Sequence, residues 1–191
     1  MSKRLMQSIS ALNSLCYVTF LGTFFLFLAP LNSWYRAWRG QTATTILHGQ
    51  NFLSVTPRQT VSTAAVTSFP DWGYAGLMTI GSVLMTVGVL LFLKAFMKIL
   101  DSLQAENYFT RANAVALRQM VTALFWQIGG TFFLAVANQL TTSLLGRVSN
   151  GMFSANWADF GNSLMAPLIL TIIYALYSRA VGLKNENDLT V

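Results

Sequence analysis

Four stretches of the chain stay apolar for about 20 residues at a time, with polar, turn-prone segments between them. The first is 14–35, "SLCYVTFLGTFFLFLAPLNSWY"; 74–97, 118–145 and 163–182 follow. A helix rises 1.5 Å per residue, so about 20 apolar residues carry it across a hydrocarbon layer roughly 30 Å thick. The pattern predicts an all-α integral membrane protein, a single four-helix transmembrane domain over 1–191. The polar remainder divides into a long loop at 36–73, a turn at 98–117 and a tail at 183–191.

Composition supports a membrane over water. Apolar residues make up 54% of the chain and charged ones 9%, where a soluble domain carries roughly a quarter charged. So few charges cannot coat a soluble globule. The net charge of +6 raises the question of nucleic acid. The basic residues, however, flank the apolar runs and form no patch with interleaved aromatics, so no direct nucleic-acid binding is expected.

Those same residues set an orientation. With both termini in the cytoplasm, Lys3, Arg4, Lys94, Lys98, Arg111, Arg118, Arg179 and Lys184 lie inside, and Arg36, Arg39, Arg58 and Arg147 outside. Cytoplasmic flanks carry the excess of Lys and Arg, and this arrangement satisfies that rule. Lys3 and Arg4 ahead of the first run also suit a signal peptide. The run is long for one, and no small-x-small site follows cleanly, so an uncleaved anchor is expected.

Helix periodicity gives the packing. Ala116, Ala123, Gly130 and Ala137 recur every seven residues on the third span, and Gly81, Gly88 and Ala95 on the second. Small residues let backbones approach in lipid, and the heptad period predicts a left-handed crossing, hence a left-handed bundle. Beside this seam, Gln127, Thr131, Asn138 and Thr142 share a face. Thr171, Tyr174 and Ser178 on the fourth span are the expected partners. Such amides serve as interhelical glue or line a polar path for a small solute.

Outside the membrane, "SWYRAWRG" sets Trp34 and Trp38 one turn apart beside Arg36 and Arg39, the make-up of a short interfacial helix. "TATTIL" and "TVSTAAVTSF", near the turn-prone "HGQN" and "TPRQ", read as two short strands of a hairpin. In the second outer loop Phe153, Trp157 and Phe160 fall at i, i+4 and i+7, predicting another interfacial helix. Both aromatic groups suit lipid anchoring, or an external partner.

Between spans two and three stands "ENYFTRANAVALRQM". Lys94, Lys98 and Asp101 at helical spacing extend the second helix to about Leu103, with Lys94 reaching for headgroups. Thr110 is the expected N-cap of the next helix, without the acidic or amide partner of a capping box, since position 113 is Asn.

Catalysis finds no support. No phosphate loop, dinucleotide fingerprint, HExxH or GxSxG occurs. One cysteine, Cys16, and one histidine, His48, leave no metal site and no internal disulfide, and no cofactor is expected. Asp71, Asp101, Glu106, Asp159, Glu186 and Asp188 all lie at span ends, in loops or in the tail, which argues against an ion-coupled transporter.

"AENYFTRANAVALRQM" resembles the central signature of a family of bacterial four-span membrane proteins, domain of unknown function 2975. Phe109, Thr110, Asn113, Leu117 and Arg118 occupy its positions. The ending "LKNENDLTV" is similar to the family's, with Asp188, Leu189, Thr190 and Val191. The long outer loop departs from the pattern. The resemblance implies a multi-pass protein of the bacterial inner membrane with no known catalysis. Members often accompany small helix-turn-helix regulators, so the resemblance implies that the polar knuckle around 105–110 and the tail serve as one docking surface. The function expected is action through protein contacts, with lipid around the spans. The partner is either such a transcription factor or, for an immunity protein, a membrane-acting toxin. A small-solute pore or transporter is the alternative, and homo-oligomerisation is left open.

Overall fold

A computed structural model describes residues 3–55 and 61–188. Among them four helical stretches are long and apolar enough to cross a membrane: Met6–Trp38, Asp71–Gln104, Arg111–Leu145 and Trp157–Asn187. The protein is a multi-pass membrane protein. Its elements are α1 (Lys3–Thr23), a 3-10 turn (Phe24–Leu28), α2 (Ala29–Trp38), α3 (Thr42–His48), β1 (Phe52–Ser54) and α4 (Thr63–Thr67). After these come α5 (Asp71–Gln104), α6 (Arg111–Leu145), β2 (Arg147–Ser149), α7 (Trp157–Ser163) and α8 (Met165–Asp188). The first span is interrupted just before Pro30. Proline lacks the N–H for an i−4 bond and its ring crowds the carbonyl one turn back, so the chain tightens and restarts as α2. With 34 residues α5 is about 51 Å long, well beyond the roughly 30 Å of hydrocarbon.

The chain forms two compact units. The first comprises Met1–Phe24, Val87–Gln127 and Leu164–Val191. Here α1 packs on α5 through Cys16, Met97 and Leu100, flanked by Phe20, Phe96 and Leu103. Asn13 donates from Nδ2 to Asp101 Oδ1 at 2.8 Å along the same pairing. Helices α5 and α6 meet at Gly88, where a Cβ would stand 2.9 Å from the Ala123 carbonyl. Ala95, Ala116 and Ala123 are buried, as the small-residue seam requires. α8 exposes Leu168, Ile172 and Leu176 outward, the reverse of a soluble helix and the arrangement lipid demands.

The second unit comprises Phe25–Thr86 and Ile128–Ser163. The seam continues here: a Cβ on Gly130 would lie 2.8 Å from the Gly81 carbonyl. α2 ends where Gly40, at φ +62°, turns the chain. The Gly40 N–H bonds Ala37 O and the Gln41 N–H bonds Arg36 O, each at 3.0 Å. These bonds close the helix and lead into α3. Ala43 and Ile46 of α3 join Phe69, Tyr74, Ala137 and Leu145 in a buried cluster.

The hairpin expected in 36–73 is not what forms. "TATTIL" lies in α3, and "TVSTAAVTSF" contributes α4. Thr44 and Thr45 donate their hydroxyls to Gln41 O at 3.0 and 2.7 Å, and Thr67 donates to Thr63 O at 3.2 Å, while α3 buries one helical face. Strand preference depends on having a neighbour to pair with, and helix packing overrides it here. The strand that does form, β1, pairs antiparallel with β2, in register Phe52↔Ser149, Leu53↔Val148 and Ser54↔Arg147. "HGQN" does turn, with the Phe52 N–H bonding Gly49 O; "TPRQ" lies outside the described residues.

Candidate functional site

The knuckle at 105–110 is a built turn. α5 closes with the Glu106 N–H on Leu103 O at 3.2 Å and the Asn107 N–H on Ser102 O at 2.9 Å. This closure needs a left-handed residue after the helix, normally glycine. Glu106 fills it at φ +58°, the one non-glycine residue with positive φ among those described. Thr110 then caps α6 as expected, its Oγ1 accepting from the Asn113 N–H at 3.2 Å.

Asn113 is 4% exposed, and its side chain staples the turn from within. Nδ2 donates to Ser102 Oγ at 2.9 Å, Asn107 O at 3.1 Å and Tyr108 O at 3.3 Å. An amide at position 113 therefore does what a capping-box side chain would not, binding the loop rather than the helix end. Across from it stands Tyr177 of α8. Its hydroxyl donates to the Tyr108 carbonyl and accepts from the Thr110 N–H, and its ring stacks on Phe109, centroids 5.8 Å apart. Both hydroxyl functions are thus used, and the turn is fixed on two sides. Tyr108 and Phe109 remain 42% and 49% exposed.

The knuckle residues read from the sequence accordingly separate. Phe109 is presented and Thr110 caps. Asn113 is interior and Leu117 half-buried. Arg118 lines a cavity with Lys94 and Lys98 instead. Asp188 ends α8, and Leu189 and Thr190 lie outside the described residues. Tyr177 was missed by sequence reasoning. The only signal was a tyrosine near the polar end of a span, and nothing in the sequence named its target.

The intramembrane polar residues are engaged locally. Asn138 donates from Nδ2 to Ala155 O at 3.1 Å and accepts the Ser149 N–H at 2.8 Å. It clamps the segment after β2. Thr131 contacts Met85 Sδ, Thr171 donates to Pro167 O in its own helix at 2.6 Å, and Gln127 lies against Gly88. Tyr174 borders a cavity with Arg111 and Ser178.

The aromatic segments also divide. Trp34 donates from Nε1 to Thr79 Oγ1 at 2.6 Å and meets Trp72 edge-on. Trp38 is 73% exposed, while Arg39 covers the Tyr35 ring at 5.3 Å. Trp157 and Phe160 cluster with Phe132. Phe153 is not on their helix. Asn156 and Asp159 cap α7 reciprocally at 2.9 Å, which starts the helix after Phe153. Phe153 instead borders a cavity of about 190 Å³ together with Arg36, Asn32, Thr42, Asn51 and Tyr74. A half-buried guanidinium among amides and hydroxyls is chemistry suited to an oxyanion. On the wall of this cavity Thr42 directs its hydroxyl to the Asp71 carboxyl group, which the Ala43 N–H also approaches. Among the described residues no cluster of His, Cys, Asp and Glu could hold a metal ion.

Residues 15–191 match the model of a protein family of unknown function, DUF2975. No curated protein and no solved structure matches the chain. The family match takes in the knuckle, the last three long helices and most of the first, and on that extent the chain belongs to the DUF2975 family.

Proposed function

We propose that this is a non-enzymatic bacterial inner-membrane protein that acts through protein contacts, with the 105–110 knuckle as its contact surface for a small helix-turn-helix transcription factor. One observation carries the reading. Two large aromatics, Tyr108 and Phe109, stand exposed on a turn that Asn113 and Tyr177 hold rigid. Aromatic anchors held in one conformation bind without a large ordering cost. The left-handed Glu106 adds to it, since strained backbone persists where surrounding structure enforces it and concentrates at functional turns. The excess of Lys and Arg on the side of the termini and the knuckle favours a cytoplasmic position for them, where such a regulator resides. In this arrangement α2 and α7 lie at the outer interface, and α5 and α6 cross left-handedly, as their seven-residue spacing favours.

An immunity role against a membrane-acting toxin is the second reading, favoured by the exposed Trp38 and Met152 of the other unit. Affinity capture from native membranes separates the two. Tyr108→Ala with Phe109→Ala should lose a DNA-binding partner while Trp38→Ala retains it; the reverse dependence, with a toxin recovered, would sink the regulatory reading. Tags at both ends reporting opposite compartments would refute the topology. Flux through the purified protein in liposomes would favour the pore.

A further inference from the structure

We propose that Lys94, Lys98 and Arg118 form a site for the phosphate headgroup of an anionic phospholipid. They line an open cleft of about 440 Å³, together with Leu91, Val115 and Thr122, a volume within the roughly 300–1,000 Å³ range of ligand sites. Leu91, Lys94 and Lys98 fall at i, i+3 and i+7 on α5. Val115, Arg118 and Thr122 fall at i, i+3 and i+7 on α6. Each set therefore occupies one helical face, and the two faces line one cleft.

Among the described residues the three cations make no ion pair. Asp101, the acidic neighbour on the same helix, is held by Asn13 Nδ2. The cleft thus concentrates positive charge with no internal counterion. Three like charges in one cleft repel, and an anion relieves that repulsion.

Position along the chain selects a lipid as the anion's source. Lys94 ends an uncharged apolar run that begins at Tyr74, and Arg118 stands just before another that begins at Met120. The cations accordingly mark the headgroup level, where basic pockets between helices take phosphate-bearing lipids. Leu91 and Val115 remain exposed within the cleft wall and offer an acyl chain apolar contact. A cleft that is cationic and apolar together fits an amphiphile better than a free ion. This site is separate from the proposed protein contact and stands or falls without it.

The experiment is thermal unfolding of the full chain in uncharged detergent with added phosphatidylglycerol, phosphatidylcholine or inorganic phosphate, with lipid retention measured by native mass spectrometry. Phosphatidylglycerol should raise the midpoint and phosphatidylcholine should not. Lys94→Gln with Arg118→Gln should lose most of that shift and retain the lipid about tenfold less. Arg147→Gln with Lys184→Gln, removing equal charge elsewhere, should leave both unchanged, and Lys94→Arg with Lys98→Arg should retain the lipid. Should the double variant not fold, Lys94→Gln and Arg118→Gln are scored singly for the same loss. Equal stabilisation by phosphate alone would overturn the lipid assignment. An undiminished shift in the cleft variants, or an equal loss in the control, would overturn the site.

Discussion

Phe109 lies on Tyr177, ring centroids 5.8 Å apart and planes 22° from parallel, and the same tyrosine's hydroxyl bonds the backbone on either side of that phenylalanine. A connection between two long helices is thereby fastened to a third. Tyr177→Phe keeps the stack and removes the hydroxyl. It should cost about 1–2 kcal/mol, from two hydrogen bonds worth roughly 1 kcal/mol each. Amide exchange at 108–110 should speed up, and Tyr177→Ala should speed it further. Unchanged exchange in both variants would mean that the tyrosine does not hold the turn.

Glu106 occupies the left-handed position that Gly40 fills at the end of α2. A side chain there costs roughly 1–2 kcal/mol relative to an unhindered conformation. Glu106→Gly should raise the unfolding midpoint by an amount equivalent to about 1 kcal/mol. If that variant also captures its partner less well, the strain has a use; a lower midpoint would show that the carboxylate contributes more than the backbone loses.

Asn138 holds the segment after β2 at both ends of its amide. Replacing it with alanine leaves the half-buried Ser149 N–H and the buried Ala155 carbonyl unpaired, which should cost about 2–3 kcal/mol. Proteolysis or amide exchange between 147 and 156 should report the opening. The structural role has a practical consequence for the pore reading. Asn138→Leu would damage the clamp in any case, so Gln127→Leu alone is the cleaner flux variant.

The seam between α5 and α6 admits no added methyl at Gly130, whose Cβ would sit 2.8 Å from both the Gly81 carbonyl and the Met85 nitrogen. Backbone cannot move aside as a flexible side chain can. Gly130→Ala should therefore lose about 1–3 kcal/mol. Gly182→Ala, in α8 with nothing within 4 Å, should be neutral or gain up to about 1 kcal/mol. A thermal series in one detergent compares the two; equal effects would argue against close approach at Gly130.

Local information carried far into this protein. Length and polarity of the apolar runs are properties of consecutive residues, and they yielded four spans. The glycine and alanine spacing anticipated the seam because helical period is fixed by backbone geometry. Thr110 was legible as a cap for the same reason: its partner, the Asn113 N–H, lies three residues on. What failed was pairing across distance. Phe52 finds Ser149, Asn138 finds Ala155, and Tyr177 finds Tyr108.

The amino-acid sequence by itself determined that this chain enters lipid, where its helices run and where small residues allow them to approach. Hydropathy and helical period are local, and each residue contributes to them independently of the rest. Only the tertiary structure decided that "TATTIL" is helix and that Asn113 faces inward. It also decided that Arg118 belongs with Lys94 and Lys98. A strand needs a neighbour, a buried amide needs acceptors, and a charge is defined by those around it; for these residues the partners come together only when the chain folds.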